Sequence, residues 1–174
     1  MIIEICSREK AFEEIARAET ETAVISIVST DEKDIILPEG ANAGPVLRLR
    51  FNDLTEEYDE EGIPYGRPLP KPEDFAGLKA FTDGLSCGRL LVHCWEGVSR
   101  SAAVAAAVYR ARGCRDTLLT HQRFAPNPLV FTLACRELGV REMYPDWTIR
   151  PGGGIIESNT KEGLRDPKTG GMRC

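Results

Sequence analysis

The residues best placed to do chemistry stand in one stretch, Leu90-Leu91-Val92-His93-Cys94-Trp95-Glu96-Gly97-Val98-Ser99-Arg100-Ser101, followed by an alanine-rich run. An apolar run leads into a cysteine, five residues including a glycine intervene, and Arg100 and Ser101 open a helical pattern over Ala102 to Arg112. A strand that turns sharply into a helix N-terminus leaves backbone N–H groups unpaired in the turn. Together with the positive end of the helix dipole they form an anion site. A cysteine on the strand side of such a turn is expected as a thiolate, since cysteines there titrate at roughly 3.5–7.5 against about 8.5 when free. An arginine on the helix side offers a two-pronged fork to oxyanion oxygens. Nucleophile, amide cradle and guanidinium clamp lie close together in sequence, which suits attack on phosphate esters.

His93-Cys94-x5-Arg100-Ser101 resembles the signature of the cysteine-dependent protein tyrosine phosphatases, in their compact dual-specificity-like, bacterial-type branch. The likeness rests on strand, His-Cys pair, Gly97 at the third loop position, arginine, following hydroxyl and helix together. It implies that Cys94 forms a cysteinyl-phosphate. It also implies that Arg100, with the amides of Trp95, Glu96, Gly97, Val98, Ser99 and Arg100, binds the phosphoryl oxygens. Ser101 then donates to the departing thiolate, and His93 serves as a hydrogen-bonder that orients the loop. Alternation along the strand points His93 to the face opposite Cys94, away from any role as base.

Breaking a phosphate ester also requires a proton for the leaving oxygen. The family places an aspartate on a loop after an earlier strand. Leu49-Arg50-Phe51-Asn52-Asp53 resembles that pattern and makes Asp53 the candidate general acid. The gap from Asp53 to Cys94 is longer than the family's usual one, with residues 56–70 resembling an insertion, and Asp59 is the alternative. Arg123-Phe124-Ala125-Pro126-Asn127 resembles the segment whose asparagine fixes the active-site loop; Asn127 is equally placed to cap its own helix.

The elements that must hold these residues are legible in turn. Residues 2–6 read as a strand, and Ser7 caps a helix to about Arg17 with Phe12 and Ile15 inward. Thr22 to Ser29 is β-branched and too apolar for one exposed face, so it reads as a buried, parallel strand. Residues 46–51 alternate, with Val46 and Arg48 on one face and Leu47, Leu49 and Phe51 on the other. Asn52 to Pro72 is a long loop carrying Asp53, Glu56, Glu57, Asp59, Glu60 and Glu61, a length more typical of functional loops than of plain connections. A helix is expected from Pro72 to Gly84 or Gly88. Gly113 stops the alanine-rich helix, Asp116 caps a short helix to about Arg123, and Asn127-Pro128 starts a last one through Leu138. These elements predict an α/β fold: a short, mostly parallel sheet of four or five strands with helices on both faces. We expect one catalytic domain over 1–149 and a polar, Gly-rich, weakly ordered tail over 150–174.

Composition narrows the function. The chain has 174 residues, 42% hydrophobic and 28% charged, ordinary for a single globular domain. A net charge of −5 and a pI near 5.2 argue against nucleic acid or an anionic membrane as partner. No apolar run approaches the roughly 18 residues of a membrane span, and the N-terminus lacks the basic start of a signal peptide, so a cytoplasmic protein is expected. Six cysteines without C-x-x-C spacing and only two histidines speak for no metal site and no cofactor. In a reducing compartment most of these cysteines should be free thiols; Cys6, Cys87, Cys114 and Cys135 read as small buried hydrophobes, any one of which is alternatively a candidate to form a protective disulfide with Cys94. The expected substrate is a phosphorylated protein, with phosphotyrosine preferred, or a small phosphomonoester. Glu96 and the negative chain argue against polyphosphorylated ligands. Two other readings stay open: a phosphate-recognition module without turnover, and a sulfur-transfer or redox enzyme using Cys94.

Overall fold

The computed structural model describes residues 1–33, 36–38, 42–114, 122–142 and 171–173. The chain opens with strand β1 (Ile2–Ser7), which runs directly into helix α1 (Arg8–Ala16) because the Ser7 side chain accepts the N–H of Lys10. Strands β2 (Thr22–Val28) and β3 (Ala43–Arg50) follow, then helix α2 (Leu78–Asp83), strand β4 (Arg89–Cys94) and helix α3 (Arg100–Ala111). Helix α4 (Pro128–Leu138) and a short strand β5 (Gly171–Arg173) complete the described elements.

The fold is α/β, with one five-stranded sheet in the order β3-β2-β4-β1-β5. Its four main strands are parallel, and β5 alone is antiparallel, pairing with β1. β2 and β4 occupy the middle and are buried almost throughout, which is why their sequences are apolar on both faces rather than alternating. β3 is an edge strand, and there Pro45 is tolerated. It begins at Ala43, earlier than its alternation suggests, and a bulge opposite Thr22–Val24 lets the backbone of Gly44 approach that of Thr22.

Helices cover both faces. On one, Ala11 and Ile15 of α1 pack on Cys6, Val24 and Leu91. On the other lies the main core, built from α3, α4, Phe51, Phe75 and the remaining strand residues. Helix α3 is the centre of that core, and Ala102 to Val108 are wholly buried. Alanines keep its surface shallow, so sheet and α4 both approach its backbone closely. Tyr109 closes its far end, its hydroxyl donating to the Ile3 carbonyl at 3.1 Å.

One expectation differs from the structure. The helix foreseen from Pro72 is split into a 3-10 turn over Pro72–Phe75 and α2, with Gly77 between them at φ 87°. The break lets Phe75 stack on Phe51, with ring centroids 4.8 Å apart, before the chain turns back. Within the tail, Gly171–Arg173 pairs with Ile2–Glu4 as a sheet edge. The short helix expected from Asp116 falls on residues 115–121, outside the described residues. No described helix is long and apolar enough to cross a membrane.

Ala106 sits in α3 with no accessible surface. Replacing it with leucine inserts three carbons where there is no space, and we expect a loss of roughly 1–3 kcal/mol in urea unfolding. An unchanged midpoint would show that α3 is less tightly enclosed than described.

Candidate active site

Parallel strands end on one side of the sheet, so Ser7, Ser29, Asp53 and Cys94 all arrive at or just past the carboxyl edge of β1, β2, β3 and β4. In register, Ser7 stands opposite Cys94. That edge is where open α/β sheets bind ligands.

The turn from Cys94 into α3 depends on Gly97. It adopts φ 74°, and a Cβ there would lie 2.3 Å from the Cys6 carbonyl carbon and 2.5 Å from the Ser7 nitrogen. Both the dihedral and the close approach demand glycine. The loop is pinned from outside as well: the Arg8 N–H donates to the Trp95 carbonyl at 3.1 Å and the Ala125 N–H to the Val98 carbonyl at 3.2 Å. The thiol of Cys94 is buried beneath the loop. Its Sγ accepts the Gly97 N–H at 3.3 Å and lies 3.2 Å from the Ser101 hydroxyl.

The loop's remaining donors are unoccupied. Among the described residues, the N–H groups of Glu96, Val98, Ser99 and Arg100 meet no protein acceptor. Ser99 holds the N-cap position of α3, where a serine side chain usually accepts a first-turn N–H. Here it makes no such bond and donates instead to Asp53 Oδ1 at 2.8 Å. Arg100 is 5% exposed; its Nη1 donates to the Ser29 hydroxyl at 2.9 Å and to the Phe51 carbonyl at 3.1 Å. Its Nε is buried without a hydrogen-bond partner. Open amides and an open guanidinium edge are the chemistry of an oxyanion cradle.

Of the two acids proposed from sequence, Asp53 stands at this site. Its Oδ2 is 3.8 Å from Arg100 Nε, and its Oδ1 also accepts from Asn127 Nδ2 at 2.9 Å. Asp59 is used elsewhere. Its Oδ1 accepts the N–H groups of Glu61 and Ile63 at 3.1 and 2.7 Å, closing the turn of a small hairpin in which Tyr58 pairs with Pro64. The long acidic loop is thus partly ordered by its own hydrogen bonds. Its base is tied down by Asn52, which accepts from Thr30 and donates to the Pro68 carbonyl at 3.0 Å.

Asn127 caps α4 by accepting the Val130 N–H at 3.0 Å, while its amide nitrogen donates to Asp53 and to the Leu54 carbonyl at 3.3 Å. It therefore grips the acid loop, and the contact with the cysteine loop is made two residues earlier by Ala125. Trp95 is 54% exposed, with the Arg8 guanidinium 4.3 Å from its ring centre. Glu96 is exposed.

His93 is fully buried, and neither ring nitrogen finds a hydrogen-bond partner among the described residues. The loop-orienting hydrogen bond expected of it is therefore not among those of the described residues. Burial lowers its pKa to about 4, with Arg8 adding a little and the Cys94 backbone partly opposing. Cys6 pairs with His93 in register and shares its face of the sheet, opposite Cys94. Burial, with Glu14 and Glu4 nearby, pushes the Cys6 thiol up to about 12. Among the described residues, Cys6, Cys87, Cys94 and Cys135 are free thiols.

Sequence reasoning passed over Ser29 and the Phe51 carbonyl, the two acceptors that hold Arg100. The only signal for either was position, at the carboxyl ends of two parallel strands.

No family model and no curated protein matches the sequence. Among solved structures, the crystal structure of human DUSP28 is similar at 20% identity, with a TM-score of 0.47, covering 79% of this chain and 91% of its own.

Two outcomes follow from the site's packing. Gly97→Ala should remove any oxyanion binding and lower the melting temperature, because the Cys6–Ser7 backbone must move to admit the methyl; an alanine variant with wild-type melting and anion binding would contradict the described turn. His93 is held neutral in the fold, so the unfolded chain binds the extra proton between about pH 6.5 and 4. Stability from this group is intact above about pH 6.5 and is lost as pH falls toward 4, by up to about 3 kcal/mol. Urea unfolding of His93→Gln should show a shallower loss between pH 7 and 5 than the wild type.

Proposed function

We propose that the protein is a phosphoric monoester hydrolase of the protein tyrosine or dual-specificity phosphatase kind, acting through a cysteinyl-phosphate. One observation carries this reading: Cys94 Sγ sits under a loop whose unoccupied N–H groups and unpartnered Arg100 Nε flank it, with Asp53 beside the arginine. The spacing of Cys94, Gly97, Arg100 and Ser101 in the sequence supports the same reading.

In the first step the Cys94 thiolate attacks phosphorus and the bond from phosphorus to the leaving oxygen breaks. The loop amides and Arg100 hold the three non-bridging oxygens as charge moves onto them. Asp53, as carboxylic acid, gives its proton to the leaving oxygen. Without substrate, Asp53 accepts from Ser99 and Asn127 and neighbours Arg100, so its charge partly offsets the guanidinium. A phosphoryl group entering the cradle takes over that partnership with Arg100. In the second step water attacks phosphorus, Asp53 recovers a proton from it, and the phosphorus–sulfur bond breaks. The Ser101 hydroxyl, 3.2 Å from Sγ, stabilises the returning thiolate.

Phosphotyrosine is the preferred substrate class, with phosphoserine and phosphothreonine or a small phosphomonoester following. Trp95 offers an exposed aromatic surface next to the nucleophile, and Glu96 with the net charge of −5 disfavours ligands bearing several phosphates. A recognition module without turnover would have no use for a carboxylate 3.8 Å from the anion-binding arginine, and a sulfur-transfer enzyme none for that acid and arginine together.

Hydrolysis of para-nitrophenyl phosphate tests the proposal. Cys94→Ser should abolish turnover, Asp53→Asn should lower kcat by roughly 10²–10⁴-fold, and Asp59→Asn should stay within about twofold of wild type. Full activity of Cys94→Ser, or no turnover by wild type between about pH 5 and 8, overturns it. Loss on Asp59→Asn with Asp53→Asn unaffected would move the acid to the hairpin.

A further inference from the structure

Glu32 has no part in the chemistry above, yet both ends of the phosphate loop lead to it. Its carboxylate Oε2 accepts the Ser29 N–H at 2.7 Å, and its own N–H donates to the Ser29 carbonyl at 3.1 Å. Arg50 Nη1 bridges the same turn, donating to the carbonyls of Ser29 and Glu32. Ser29 is thereby held at its backbone, and its hydroxyl is presented to Arg100 Nη1 at 2.9 Å. In the other direction Glu32 Oε1 pairs with the Arg8 guanidinium. That guanidinium lies over Trp95, and the Arg8 N–H donates to the Trp95 carbonyl. Burial alone would raise the Glu32 pKa, but the Ser29 N–H and Arg8 outweigh it and hold it below the usual carboxylate range.

Building on the phosphatase reading, we propose that Glu32 is a positioning residue for oxyanion binding. Through Ser29 it sets the guanidinium of Arg100, and through Arg8 it sets Trp95, so one carboxylate holds both ends of the Trp95–Arg100 loop. The physical reason lies in the alternative open to Arg100. Asp53 Oδ2 is only 3.8 Å from its Nε. If Ser29 turns away, Nη1 keeps the Phe51 carbonyl alone, and the guanidinium is free to close on Asp53. That ion pair would compete with an incoming phosphoryl group for the arginine.

The test uses the full chain, with inorganic tungstate as the oxyanion probe and para-nitrophenyl phosphate as substrate. Glu32→Ala and Ser29→Ala should each weaken tungstate binding on the order of 10-fold and raise KM more than they lower kcat. The double variant should be no worse than about the poorer single one, because both act through the same guanidinium. Glu32→Gln, which keeps an acceptor for the Ser29 N–H, should recover part of the loss. Tungstate affinity of Glu32→Ala equal to wild type, or losses that multiply in the double variant, would overturn the inference alone. Losses that vanish once binding is corrected for unfolded protein, measured by melting curves, would also overturn it, since the residue would then be merely structural. A wild type that neither binds tungstate nor hydrolyses the ester would overturn the phosphatase reading itself.

Discussion

The loop after Cys94 closes over the sulfur only because nothing larger than hydrogen stands on the α-carbon of residue 97. The backbone of Cys6 and Ser7, one strand away, fills the space that a side chain would need. This contact sets how far the loop leans toward β1, and so whether the Gly97 N–H reaches Sγ and the other amides face inward. It also couples the site to the first strand: the same crossover from β1 into α1 supplies Arg8, whose N–H holds the Trp95 carbonyl. The cradle is therefore the product of three chain segments meeting at one sheet edge rather than of a local motif alone.

Much of this was legible in sequence, and the reasons differ by residue. Cys94, Gly97, Arg100 and Ser101 are local in sequence, so their spacing carries their geometry. The two central strands were legible because burial on both faces leaves an apolar run with no alternation. Asp53 could be proposed because it directly follows a strand that alternates cleanly, whereas Asp59 belonged to a loop whose hairpin pairing has no strong pattern. The break at Gly77 was not legible, since an apolar stripe at helical spacing continues across it; stacking of Phe75 on Phe51, a contact between distant segments, decides the matter. Asn127 shows a different limit. Its capping role follows from Asn-Pro at a helix start, but its grip on Asp53 depends on where the sheet places a residue 74 positions earlier.

Ser29, Glu32 and Arg8 could not have been singled out by type or spacing. Serine after a buried strand is an ordinary turn residue, and Glu32 and Arg8 read as solvated charges. What gives them weight is convergence at one sheet edge: a backbone N–H, a carbonyl, a hydroxyl and the guanidinium groups of Arg8, Arg50 and Arg100 meet around a single short turn. Surface ion pairs contribute little by themselves, in the range of about 0–1 kcal/mol. A pair that is three-quarters enclosed and whose partners hold other groups acts on geometry more than on stability.

The site keeps its donors open at a cost that the rest of the fold must offset. A serine at the N-cap of α3 that does not cap forgoes about 1 kcal/mol. A buried guanidinium N–H without a partner costs on the order of 1–3 kcal/mol more. Placing a cation at a helix N-terminus is unfavourable besides. Against this stand Asp53, whose charge partly neutralises Arg100, and a helix whose alanine face is enclosed on every side by sheet and α4. The core around α3 can carry an uncapped helix start because the remaining turns of that helix are enclosed by sheet and α4. An anion in the cradle would satisfy the cap, the orphaned donor and the misplaced cation at once, so the features that weaken the empty fold are the ones a bound anion would relieve.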